Sequence, residues 1–513
     1  MKIKIFRIRK YYFLTAATVF LLSSLQLFAV TYPIIDTGQD VTYNNTRPIE
    51  FPELGDAFYG QDAQFNHQQI PAAYRDNEDG TITDLNTGLM WVKARGEKMT
   101  WADAYTGASE SRVGDYDDWR MPTIKDLYSL IDFKGYIDPT GDASVPFLDT
   151  DYFGFEYGDE NAGERIIDCQ DWTATEYVHF TMNNDSTVFG INFADGRIKG
   201  YPKYIRQGQE QSPNQMYIRY VRGNPDYGSN NFIDNNDNTI FDEATGLMWD
   251  KSDSENGLTW QDALEYVDLR NSHDHRGFSD WRLPNVKELQ SIVDYSRAPA
   301  VTNSPALNSV FSCSQIVDEE GEDDYPFFWT NTTHLDGPEN RRYQNAAYVC
   351  FGRGLGWMEL PPDFEWTLLD VHGAGAQRSD PKVGNPDDYP HGNGPQGDVI
   401  RIYNYVRLVR GHSVPFSVKE DHGTLPTNLR LFQNFPNPFN STTTVTFNLA
   451  NIQPVKLKLY THNGNLVWSY SETFQTVGTH SVIIDGRGLS SGVYLVDLES
   501  LNTSIIRKIV LIR

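Results

Sequence analysis

Acidic residues recur at one spacing in this chain. Asp76, Asp79 and Asp84 surround an Asp79-Gly80 pair, and Asp234, Asp237 and Asp242 repeat the set further along. Hard cations such as Ca²⁺ take several oxygen ligands at once. The pattern therefore admits calcium. It does not fit an EF-hand register: with Gly80 at the glycine position, Arg75 falls where the first acid belongs. The second set also has Asn238 in place of that glycine. Turn-favouring residues at a hairpin account for the same pattern without a metal.

A second group lies between Val371 and Asp398. His372, Arg378, Asp380, Asp387, Asp388 and His391 crowd a stretch rich in Gly, Pro, Asn and Asp. Loops of this length are usually functional or disordered. These side chains could hold a cation or a hydroxyl-rich ligand. If neutral imidazole took part, binding would weaken below about pH 6.5. A decorative surface loop is the plainer reading. Trp119-Arg120 and Trp281-Arg282 resemble a sugar platform in composition. Their place just before a capped helix points instead to a buried Trp and an Arg that ties loops together.

Catalytic signatures are lacking. The chain carries no Gly-x-Ser-x-Gly elbow, no His-Glu-x-x-His and no closely spaced Cys pair. A carboxylate pair of glycosidase type has no spacing to mark it. Of three cysteines, Cys313 and Cys350 are the candidate disulfide, since both fall in one repeat.

The elements that must position these groups come as a repeat. Tyr74–Asp84, Thr87–Trp91, Thr100–Ala104, Asp118–Leu127, Trp172-Thr173 and Tyr220–Gly223 form the first copy. Phe232–Asp242, Thr245–Trp249, Thr259–Ala263, Asp280–Leu289, Trp329-Thr330 and Leu408–Gly411 form the second. The copies are 158 residues apart at Trp91 and Trp249 but 188 apart at Arg222 and Arg410. The second copy therefore carries extra chain near its end.

In each copy, Asp-Gly or its equivalent predicts a hairpin turn. Thr100, Thr259, Thr123 and Asn285 each precede an acid by three residues, the pattern of a capping box. Apolar residues at helical spacing follow in Leu127–Ile131 and Leu289–Val293. Each copy reads as α+β: a hairpin, two helices, then a sheet.

These motifs resemble the C-terminal domain of a bacterial collagen-like adhesin, the Lcl C-terminal domain family. Asp-Gly-Thr-Ile-Thr-Asp, Thr-Gly-Leu-Met-Trp and Trp-Arg-Leu-Pro carry the match, from about Tyr74 to Gly411. Trp-Arg-Leu-Pro running into a helix is also similar, more remotely, to the C-type-lectin-like fold. The adhesin resemblance implies a glycan or protein ligand. A formal net charge of −26 argues against nucleic acid and sulfated polymers, whose binding is driven by Lys and Arg. A neutral glycan or a protein fits better. The rival readings are a surface polysaccharide hydrolase using acidic residues, and a structural envelope component without a soluble ligand.

The chain ends differently. Asn434-Phe-Pro-Asn-Pro-Phe-Asn440 opens a run of alternating segments with turn pairs at Asn463-Gly464 and Asp485-Gly486. Period-2 alternation between such turns predicts a small β-sandwich. The segment from Leu429 to Arg513 is similar to the type A sorting domain of the bacterial type IX secretion system. That resemblance implies the secretion machinery as a partner, and carriage to the cell surface. At the other end, Lys2, Lys4, Arg7, Arg9 and Lys10 precede an apolar run to Leu27, with Ala29 as a cleavage point. This is the pattern of a signal peptide, with an N-terminal anchor as the alternative. No transmembrane span is expected after its removal.

The expected layout is a signal peptide at 1–29, a leader at 30–73, and Lcl-like copies at 74–223 and 224–411. A linker at 412–428 and a sorting domain at 429–513 complete it.

Overall fold

A computed structural model describes residues 31–411 and 430–512, apart from 139–143, 183, 208–209, 361–364, 432–433, 435–438, 450–453, 462–464, 474–477 and 501–502. The expected signal peptide, the linker and the Asn463-Gly464 turn lie outside these residues. The chain divides into two compact units, Met1–Ser417 and Val418–Arg513.

Strands dominate both units, and the helices are short. The two copies each begin as expected. Tyr74–Asp76 pairs with Thr81–Asp84, which pairs with Leu89–Val92, which pairs with the closing strand Val221–Gly223. The second copy repeats this with Phe232–Asp234, Thr239–Asp242, Leu247–Asp250 and Val409–Arg410. Alternation places Ile82 and Trp91, and likewise Ile240 and Trp249, in the core with no exposure.

Each sheet leads into capped helices. Thr100 Oγ1 accepts from the Asp103 amide at the start of α1 (Trp101–Glu110). Both arms of the capping box form at Thr123 with Asp126, ahead of α2 (Ile124–Tyr128). The second copy has α3 (Trp260–Asn271) behind Thr259 and α4 (Val286–Ser291) behind Asn285, again with a full box to Glu288. Helices α2 and α4 stop earlier than the apolar pattern predicts, at Tyr128 and Ser291. Their apolar continuation, Leu130-Ile131 and Ile292-Val293, is buried all the same.

The copies are not separate beads. Three strands of the first, Asp171–Thr181, Asp185–Asn192 and Arg197–Pro202, join three of the second in one six-stranded sheet. The order runs Phe327–His334, Asn345–Cys350, Gln377–Pro381, then Arg197–Pro202, Asp185–Asn192 and Asp171–Thr181. The seam is the pairing of Gln377 with Ile198. Beneath it, one core takes Trp91, Leu127 and Phe189 from the first copy and Trp249, Leu289 and Val349 from the second. Helices α2 and α4 meet reciprocally: Lys125 Nζ donates to Ser291 O at 2.7 Å, and Lys287 Nζ to Ser129 O at 3.0 Å.

The segment ahead of the first copy is part of this core. Tyr32 and Ile34 are buried in it, and Ile35 bridges Ile70. Residues 37–69 form an insert that leaves this bridge and returns to it.

The second unit has two sheets. Arg430–Leu431, Thr442–Leu449 and Gly478–Asp485 make one. Leu466–Thr473, Pro454–Thr461, Gly492–Ser500 and Thr503–Leu511 make the other. Val445, Phe447 and Ile484 of the first share a core with Leu457, Val496 and Leu498 of the second. Two sheets with a common apolar interior are the predicted β-sandwich.

Candidate functional site

The acidic hairpins engage their own chain. Asp76 pairs with Lys93 at 2.5 Å and Asp234 with Lys251 at 2.6 Å. Asp79 Oδ1 accepts from Thr81 N and Oγ1, and Asp237 Oδ1 does the same with Thr239. Asp84 accepts from the amides of Asn86 and Thr87. Asp242 accepts from Asn230, the Asn231 amide and Thr245. The carboxylates of each hairpin thus point to different partners. Among the described residues, no group of three or more His, Cys, Asp or Glu is placed to hold a metal ion.

Trp119 and Trp281 are buried, at 4% and 2% exposure, and donate to Val113 O and His275 O. Neither is a sugar platform. The adjacent arginines bind carboxylates bidentately. Arg120 holds Asp126 at 2.6 and 3.0 Å, and Arg282 holds Glu288 at 2.5 and 2.6 Å. The expected disulfide does not form: Cys169, Cys313 and Cys350 all stand as free thiols. Burial raises the thiols of Cys313 and Cys169 to about 12.

The stretch from Val371 to Asp398 is not one loop: Gln377–Pro381 within it is a strand of the shared sheet and carries Arg378 and Asp380, and only the chain after it is exposed loop. His372 is buried, its Nε2 2.8 Å from Asp398 Oδ1. Arg378 pairs with the same Asp398. Burial, first, and the Arg378 charge, second, hold the His372 imidazole well below its usual range. It therefore stays neutral and does not titrate near pH 6.5. Asp380 is also buried. It accepts from the amides of Arg401 and Ile402 and from Asn404 Nδ2, at 3.1, 3.0 and 3.0 Å. Ile402 has φ of +63°, a strained value for a β-branched residue, and the Asp380 clamp holds it there. His372, Arg378 and Asp380 are therefore structural.

Asp387, Asp388 and His391 remain at the surface. Asp387 and Asp388 lie in a turn, Pro386–Asp388, capped by Asn385. His391 stacks on Trp366 with ring centres 4.2 Å apart and planes 7° from parallel. The edge of Trp357 meets His391 at 6.2 Å. Trp366 is 43% exposed. Both tryptophans come from a hairpin, Leu355–Leu360 with Glu365–Asp370, that sits between two strands of the shared sheet in chain order. The first copy has only a short turn there, between Asn192 and Arg197. The Trp357 amide donates to Gly397 O, which ties the loop to the hairpin. Gly397 is required: φ is +57°, and a Cβ there would lie 2.0 Å from Trp357 O. The tryptophans were not singled out from sequence. Their signal was two alternating runs, Leu355–Leu360 and Glu365–Asp370, either side of Pro361-Pro362.

The described parts define a class: a double-repeat, sheet-joined module with a C-terminal β-sandwich. The chain belongs to the Lcl C-terminal domain family, which matches it twice, over residues 80–222 and 238–358. Its end matches the secretion system C-terminal sorting domain over residues 433–512. That domain directs type IX secretion and attachment to the cell surface or outer membrane, and implies contact with the secretion machinery. No helix among the described residues is long and apolar enough to cross a membrane.

No curated protein is significantly similar. Among solved structures, one match is PorZ, described as an essential surface component of the type-IX secretion system of Porphyromonas gingivalis. Identity is 17% and the TM-score 0.13, over 23% of this chain and 15% of that one. Another is a putative beta-galactosidase from Bacteroides fragilis, at 15% identity and TM-score 0.12, over 40% of this chain and 33% of that one. The chain spans a small part of each.

Proposed function

We propose that this is a surface-displayed binding protein that recognises a neutral glycan through the Trp366–His391 platform. The carrying observation is the exposed aromatic stack itself. Aromatic side chains left in water as an ordered pair offer an apolar face with polar edges, the form suited to a sugar ring. Asp387 and Asp388, a few residues from His391, supply acceptors for sugar hydroxyls. The net charge of −26 favours an uncharged partner over a sulfated one. Membership of a family that resembles an adhesin domain, and export to the surface, agree with this role.

A glycan array probed with the purified chain tests the reading. Wild type is expected to retain neutral oligosaccharides. Trp366→Ala should lose at least tenfold in affinity with its melting temperature unchanged. Equal retention by both proteins would remove the platform from recognition. Release of reducing ends from the retained glycan would favour a hydrolase instead.

A further inference from the structure

The two copies build the same seat, and the described residues fill only one. In the second copy, one wall is Asn285, Val286 and Thr332, with the Val286 amide donating to Thr332 Oγ1 at 3.1 Å. The facing wall is Ile131, Asp132 and Phe133 of the first copy. The insert at residues 37–69 lies between them. Thr37 O accepts from the Phe133 amide at 2.7 Å. Asp62 Oδ2 accepts from Thr332 Oγ1 at 2.6 Å and from Thr37 Oγ1 at 2.8 Å. Asn285 Nδ2 donates to Gln69 at 2.9 Å. Gly38 passes so close to Asp132 that a Cβ would lie 2.3 Å from its Oδ1. As a result Asn285 and Thr332 are buried, at 1% and 0% exposure.

The repeat places Thr123, Ile124 and Thr175 where the second copy has Asn285, Val286 and Thr332. The Ile124 amide donates to Thr175 Oγ1 at 2.9 Å, as its counterpart does. Val293, Asp294 and Tyr295 stand for Ile131, Asp132 and Phe133. Between these walls is an open cavity of about 400 Å³. The short connection between the copies, residues 224–231, has no equivalent of the insert. Thr123 is exposed and Thr175 half-buried. The Phe133 amide is taken by Thr37 O, whereas among the described residues the Tyr295 amide has no hydrogen-bond partner.

We propose that the first-copy cavity receives an extended peptide segment of another protein, which gives a backbone carbonyl to Tyr295 N–H and a carboxyl or carboxamide side chain to Thr175. This site is separate from the aromatic platform. The choice of a peptide follows from what occupies the equivalent seat: extended chain, joined by a backbone hydrogen bond and by Asp62 and Gln69. The choice of a short polar side chain over a strong anion follows from the charges present. Lys125 lines the cavity, but it already donates to Gly228 O, Asn230 Oδ1 and Ser291 O. Asp294 lines it too and repels an anion.

The chain supplies its own probes. Labelled peptides with the sequences of residues 34–41 and 59–70, alone and mixed, would be titrated into the full chain by fluorescence anisotropy. Saturable binding is expected. It should fall at least tenfold in Thr175→Arg, which fills the cavity. Asn308→Trp, on the same rim, is the second variant should the first fail to fold. Hydrogen exchange should slow in the segment containing Tyr295 when peptide is bound. Absence of saturable binding would overturn the proposal. So would binding that survives in the folded variants, which would mean displacement of the insert from the second seat. Slowed exchange at Tyr295 with neutral oligosaccharides but not with peptides would equally overturn it.

Discussion

The first and second copies share a frame and differ in three places. The second copy has the hairpin with Trp357 and Trp366, the exposed loop that follows the strand Gln377–Pro381 and runs to Asp398, and a seat filled by residues 37–69. At the equivalent positions the first copy has a tight turn, a hairpin of Tyr204–Gln207 with Glu210–Pro213, and an open cavity. What they share is bonded internally: Trp119 and Trp281 to loop carbonyls, Arg120 and Arg282 to helix-cap carboxylates, the hairpin acids to turn amides. The shared residues build the fold, and the candidate binding features all lie where the copies part.

The largest expected effect tests whether the copies are one unit. Removing a buried Trp costs about 3–5 kcal/mol. Because the core is common, Trp119→Ala and Trp281→Ala should each lower a single calorimetric transition of the Met1–Ser417 unit. If only one of two resolved transitions moved with each variant, the copies would be independent domains.

Next come the two arginine pairs. Arg282 and Glu288 are almost fully enclosed, at 2% and 1% side-chain exposure, whereas Arg120 is 34% exposed. Breaking an enclosed pair from one side costs about 3–5 kcal/mol, since the remaining charge is left buried. In the first pair Asp126 is enclosed but Arg120 reaches solvent, which screens the interaction, so its loss should fall below that value. Chemical denaturation should therefore show a clearly larger loss for Arg282→Ala than for Arg120→Ala. Equal losses would mean that the copies do not differ here.

The insert gives a pH effect. Burial raises the Asp62 carboxyl to about 7, with Asp36 adding to the shift. A raised folded-state value favours the protonated form in the fold. Its stabilisation is complete below the unfolded value near 4 and is lost as pH rises through about 7. The size is of the order of 2–4 kcal/mol. Burial raises Asp370 and Asp380 to about 6, with the same sign. Melting temperature should thus fall from pH 5 to 8, and Asp62→Asn should flatten the part above pH 6. A slope unchanged by that substitution would contradict a carboxyl raised by burial at Asp62.

The smallest expected effect concerns calcium. Each hairpin carboxylate already has donors of its own, so a chelator should leave the melting temperature unchanged. A fall on chelation, abolished by Asp79→Ala, would restore a cation to the hairpin.

Much of this frame was legible in the sequence. The hairpins, caps and buried Trp-Arg pairs follow from local turn chemistry and periodicity, and the C-terminal β-sandwich from alternation between turns; its sorting role was legible only through the family resemblance. The seam between Ile198 and Gln377 was not legible, since nothing local marks which strand edges meet across 179 residues of chain. The insert was hidden for another reason. Thr37, Gln39, Asp62 and Gln69 are polar and read as surface, yet all are buried because they hydrogen-bond one another and the second copy. At the candidate site, the loop was recognisable by composition, but its histidines and acids look alike in sequence. Only packing separates His372 and Asp380, which brace the fold, from His391, which stacks in the open.

The central claim is that recognition resides where the copies differ. Hydrogen exchange of the full chain, with and without a mixture of neutral oligosaccharides, tests it most directly. Slowed exchange is expected in the segments spanning residues 355–370 and 385–398, and not in the hairpins around Asp79 and Asp237. Slowed exchange confined to those shared hairpins, or to the Trp119 and Trp281 loops, would contradict the account.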